Sequence, residues 1–197
     1  MEPPQQRIER LRQYLEIAEV GDIARRYAAM NAFDGILTII GVLMGSYTAH
    51  VTDPRIVIST GLATSVAMGV SGLWGAYLTE KAERKRSLDE LEQVTLSDLG
   101  DTHLGRASRL AVIVVALVDG LSPFLAALAV LTPFFLAALF PSPWHVYYLS
   151  LGMALGALFG VGVFVGSISR ERLLVSGAKT ICAGLVCMGI NLLLGLD

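Results

Sequence analysis

The chain has 197 residues, of which 54% are hydrophobic and only 16% charged, with a formal net charge of -2. That balance excludes an ordinary soluble domain, whose helices need charged faces, and it carries no sign of a nucleic-acid partner. The charges are also segregated: from residue 34 to 78 only Asp34, Asp53 and Arg55 are charged, and from 110 to 169 only Asp119. Such runs suit a lipid bilayer, which asks for about 20 consecutive apolar residues per helix.

Residues 1–27 lack the apolar core of a cleavable signal peptide. Ile8, Leu11, Leu15, Ile17, Ala18 and Val20 nevertheless give this Arg-, Glu- and Gln-rich segment a modest apolar face. An N-terminal amphipathic interfacial helix is therefore expected, the alternative being a solvated helix packed on its own loops. Residues 28–80 hold the first two predicted spans, about Ala28 to Ala49 and Ile56 to Leu78. A short cytoplasmic loop or helix follows at 81–108, and residues 109–197 hold the remaining three. Span three, about Leu110 to Phe140, is long enough to imply tilt or kinking, for which Pro123 and Pro133 are ready causes. Span four covers Val146 to Ser169 and span five Val175 to Leu196. The fold class is all-α, a polytopic membrane protein with five transmembrane helices.

Orientation follows from the excess of Lys and Arg in cytoplasmic loops. Fourteen of the fifteen basic residues fall on one side of this arrangement, and Arg55 alone lies opposite. The N-terminus is expected inside and the C-terminus outside.

Two segments resemble each other: Phe33-Asp34-Gly35-Ile36-Leu37 in span one and Val118-Asp119-Gly120-Leu121-Ser122 in span three. Each is followed by a Gly-rich span and a charged patch, Glu83-Arg84 and Glu171-Arg172. A parallel repeat is expected, with Asp34 and Asp119 at comparable depth and both facing the bundle interior. A carboxylate within the membrane costs at least about 2.5–3.5 kcal/mol, so each aspartate needs a partner, a proton, a cation or water. Asp34, Thr38, Gly41 and Gly45 share one helix face, and Gly61, Ser65, Met68, Gly72 and Ala76 form a comparable stripe in span two. Both read as cavity lining or as close helix packing, although packing alone does not ask for a carboxylate. Gly152, Gly156 and Gly160, with Gly162 and Gly166 on the adjacent face, read as a packing surface. Cys182 and Cys187 have neither metal-site spacing nor a shared face and read as small buried residues.

The run Asp34 to Gly45, DGILTIIGVLMG, resembles the first-span motif of the vacuolar iron transporter family. Leu62 to Arg84, with Met68, Gly75-Ala76-Tyr77 and Glu83-Arg84, resembles its second-span region less closely. The resemblance implies a homodimer that exports Fe²⁺ or Mn²⁺ from the cytosol, in exchange for protons, along a path lined by the first-span Asp and second-span Met. On this chain those positions are Asp34 and Met68. Carboxylate and thioether together make a mixed hard and soft donor pair that binds loosely enough to release its ion. The sequence departs from the family at Gly72 and Ala76, where a second-span Glu is usual. It also lacks the long Glu- and Met-rich domain between spans two and three; Lys81 to Ser108 is 28 residues without a Met.

The candidate metal set is Asp34, Thr38, Met68, Glu80, Glu83 and Asp119; no resident cofactor is expected, and the expected partners are the metal ion, the bilayer and a second copy. No GxSxG or HExxH motif points to an enzyme. A proton-coupled carrier of a small organic cation would use the same carboxylates without the Met. A structural membrane protein would use the glycine stripes and neither aspartate.

Overall fold

The computed structural model describes residues 20–100 and 102–195. The amphipathic helix expected over residues 1–27 lies outside them up to residue 19. From Val20 onward that segment is the beginning of the first membrane helix, with no break at Ala28.

The elements are α1 (Val20–Thr48), α2 (Pro54–Thr95), α3 (His103–Phe135), a 3₁₀ turn (Ala137–Leu139), α4 (Pro143–Ser169) and α5 (Leu173–Leu194). All five α-helices are long and apolar enough to cross a membrane, so the chain is a multi-pass membrane protein.

Helix α2 does not stop where its apolar run stops near Leu78. The following stretch is rich in Glu, Lys, Ala and Arg, which are strong helix formers, and pairs at i and i+4 reinforce it. Arg84 Nε lies 3.2 Å from Glu80, and Arg86 Nε lies 2.9 Å from Glu90. The helix ends where Leu96 takes the left-handed conformation, φ 51°. Past it, Glu92 accepts the Leu99 amide at 2.8 Å and Asp98 accepts the Gly100 amide at 2.9 Å.

Helix α3 runs through both internal prolines. The Pro133 carbonyl accepts the Leu136 amide at 3.1 Å, and the chain tightens from there into the 3₁₀ turn. Ser142 then opens α4, its hydroxyl accepting the Trp144 amide at 3.4 Å with Pro143 in the first helical turn. Arg170, in the left-handed conformation, closes α4, and α5 begins three residues later.

The chain divides into two compact units. The first holds residues 20–28 with 70–121, and a small core of Val20, Ala111 and Val115. The second holds residues 29–69 with 122–195. Its core joins Ile36, Ile39, Ile40 and Leu43 of α1 to Val130, Leu131, Val146, Tyr147 and Leu158. Two close approaches to backbone in this unit require glycine. A Cβ at position 35 would stand 2.7 Å from Pro123 Cα, and one at position 162 would stand 2.7 Å from Gly177 Cα. The second contact lets α4 and α5 close into a hairpin, where the Thr180 hydroxyl donates to the Leu158 carbonyl at 2.8 Å.

Candidate functional site

Helix α1 buries one face and exposes another. Ile36, Ile39, Ile40 and Leu43 form the buried face, and its branched side chains fill the core of the second unit. Met30, Asp34, Thr38 and Gly45 lie exposed on the opposite side. Asp34 is the middle residue of a 29-residue helix, so it stands far from either end. Within the chain, the neighbouring residue Gly35 makes the buried contact, against Pro123, while Asp34 is left exposed and not enclosed as expected.

Among the described residues no hydrogen bond or ion pair engages the Asp34 carboxylate. Its backbone carbonyl accepts the Thr38 hydroxyl at 2.8 Å. That bond spends the only hydroxyl proton and leaves the oxygen lone pairs free, one turn from the carboxylate. A hard-oxygen pair thus stands on an open helix face, with the exposed thioether of Met30 one turn away on the other side. Met30 does not stand out in the sequence beside the glycines that follow Asp34. The i, i+4 spacing of Met30, Asp34 and Thr38 was the available signal.

Met68 is half-buried and packs against the core of the second unit. Its sulfur belongs to the packing of α2 on that core as much as to any exposed face.

The other three candidates belong to the first unit and have different surroundings. Glu80 pairs with Arg84 at 3.2 Å, the two side chains being only 14% and 15% exposed, and the Tyr27 side chain also hydrogen-bonds Glu80. A cation binding Glu80 would have to displace a guanidinium that already neutralises it. Tyr27 carries no signal in the sequence, whereas the i, i+4 spacing of Glu80 and Arg84 marks that pair. Glu83 is exposed, one turn further along the charged part of α2.

Asp119 is buried, at 7% exposure, and is engaged in polar interactions. It stands beside Gly72, where an added Cβ would come within 3.0 Å of both its carbonyl and its Oδ2. The glycine at 72 thus makes room for this carboxylate. The paired Asp-Gly motifs lead to unlike environments, one aspartate open and one enclosed. Among the described residues, no three His, Cys, Asp or Glu side chains converge as a closed metal cage.

Residues 26–98 match the model of the VIT family, a stretch that contains Asp34, Thr38, Met68, Glu80 and Glu83 but not Asp119. A relative in Methanocaldococcus jannaschii, described only as an uncharacterized protein, is 29% identical over 168 residues, which cover 84% of this chain and 85% of that one.

Proposed function

We propose that this chain, a member of the VIT family by its residues 26–98, is a membrane transporter of divalent metal cations, with Fe²⁺ or Mn²⁺ as substrate. It moves the ion out of the cytosol in exchange for protons, with the N-terminus inside and the C-terminus outside.

One observation supports this most: an ionisable side chain in the middle of a membrane helix, open on its outer face. A carboxylate left against lipid at that depth costs about 2.5–3.5 kcal/mol. A second copy of the chain covering the Met30–Asp34–Thr38 face would remove that cost and enclose a path between two such faces. A dehydrating cation crossing there meets a carboxylate and hydroxyl from each copy, with thioether sulfur near them. These oxygens suit Fe²⁺ and Mn²⁺, and the sulfur favours Fe²⁺. An open face with few ligands also releases its ion, as conduction requires.

The test is uptake into protein-containing liposomes, with Fe²⁺, Mn²⁺, Co²⁺, Ni²⁺ and Zn²⁺ supplied in turn and a pH-sensitive dye inside. Uptake of at least one ion with a coupled pH change, lost in Asp34→Asn, is expected. No uptake of any ion by the wild-type chain removes the reading. Transport of an organic cation that survives Met68→Leu would replace it with the carrier reading.

A further inference from the structure

The second unit carries a cleft far along the chain from the Asp34 face, at the end of α4 opposite the Arg170 turn. Tyr47 and Thr48 at the end of α1, His50, Trp144 and Tyr148 at the start of α4, and Gly195 past the end of α5 line it. Its volume is about 430 Å³, within the range of small-molecule sites.

The rings form walls. Tyr47 meets Trp144 at 5.3 Å and 82°, and His50 meets Trp144 at 6.1 Å and 83°. Tyr47 and Tyr148 lie 6.2 Å apart at 56°, their hydroxyl oxygens 3.2 Å from each other. The walls are fixed from behind. Tyr147, whose hydroxyl donates to the Val51 carbonyl at 2.8 Å, braces both Tyr47 and Trp144. His50 is held by Nδ1, 2.9 Å from the Thr48 carbonyl. Aromatic residues at a membrane surface ordinarily project singly into the headgroups. These instead cluster around shared space, Trp144 standing nearly perpendicular to both Tyr47 and His50.

Two features select the charge and type of ligand. Aromatic faces attract cations. The C-termini of α1 and α5 both border the cleft and neither has a basic residue in its last turn; their negative ends are partly satisfied, by the Ala49, His50 and Val51 amides at α1 and by the Gly195 amide at α5. The N-terminus of α4 opposes them with one positive end, partly satisfied by Ser142. Among the described residues the lining has no Asp or Glu to replace the water shell of a divalent metal. A weakly hydrated cation fits best. We propose that this cleft binds an organic ammonium group, from a lipid headgroup or from a free amine. The site stands whether or not the metal-transport reading holds.

The experiment uses the full chain in phosphatidylglycerol nanodiscs with Trp74→Phe, so that Trp144 is the only remaining tryptophan of the two. Choline chloride is titrated against its uncharged isostere 3,3-dimethylbutanol, with sodium chloride as the ionic-strength control. A saturable change in Trp144 emission is expected with choline alone. Tyr148→Leu, at a side chain already exposed, should raise the choline Kd on the order of tenfold, and Tyr148→Phe by no more than about twofold. A choline Kd at least about tenfold higher in phosphatidylcholine discs identifies the lipid headgroup as occupant; equal values identify a free amine. An equal response to the isostere, no saturation in phosphatidylglycerol discs, or unchanged affinity in Tyr148→Leu overturns the proposal.

Discussion

Asp34→Asn and Asp119→Asn should have different effects on stability although the two residues occupy matching motifs. Asp34 is exposed in mid-helix with no side-chain partner among the described residues. Removing its charge gives up no side-chain hydrogen bond or ion pair among the described residues and relieves part of a cost of at least about 2.5–3.5 kcal/mol. The melting temperature should stay level or rise. Asp119 is 7% exposed, engaged in polar interactions and fitted against Gly72. The amide keeps its volume but changes the polar interactions of an enclosed carboxyl group, a loss of about 1–3 kcal/mol. For a chain of this size that corresponds to a fall of roughly 2–12 °C. Thermal unfolding of the purified variants in one detergent, beside metal uptake in liposomes, reads both quantities. The expected result is Asp34→Asn folded and inactive, with Asp119→Asn measurably less stable. Equal destabilisation by the two substitutions, or wild-type transport by Asp34→Asn, refutes the reasoning.

Gly162→Ala should open the α4–α5 hairpin and cost about 1–3 kcal/mol by thermal unfolding, whereas Gly156→Ala, with nothing within 4 Å of its added methyl, should be neutral. In a chain freed of Cys182 and Cys187, Gly45→Cys should be joined into covalent dimers by a short bis-maleimide; stronger joining through Gly152→Cys would move the interface to α4. Met30→Leu and Met68→Leu, compared in a metal screen, should lower the preference for Fe²⁺ over Mn²⁺, and an unchanged preference in both would remove sulfur from the path. A tag at Ser87 should be protected from outside reagents and one after Asp197 accessible; a protected C-terminal tag would mean the span count is wrong by one.

The five membrane helices were legible because long apolar runs report directly on the solvent they need. Their ends were less so. Apolarity marks where α2 leaves the membrane, not where it stops being helical, and the Glu80–Arg84 and Arg86–Glu90 pairs carry it on to Thr95. The helical period of Asp34 and Thr38 correctly grouped them on one face. It could not say what covers that face, since small and polar residues suit an internal cavity and a joint between copies equally well. The likeness of Asp34-Gly35 to Asp119-Gly120 misled for the same reason. A two-residue match says nothing of the neighbour, and Gly72, which makes room for Asp119, lies on another helix.

The charged end of α2 is stiff, and stiffness has mechanical consequences. From Glu80 to Thr95 it is an uninterrupted helix, about 24 Å at 1.5 Å per residue. A rod of that length magnifies angle into displacement: tilting its base by about 5° would carry its tip roughly 2 Å. The tip is also tethered, since the Arg109 guanidinium on α3 donates to the Gly100 carbonyl at 2.9 Å just past the turn. A small rocking of α2 would therefore emerge as a larger displacement at its tip, passed through that tether to the first turns of α3.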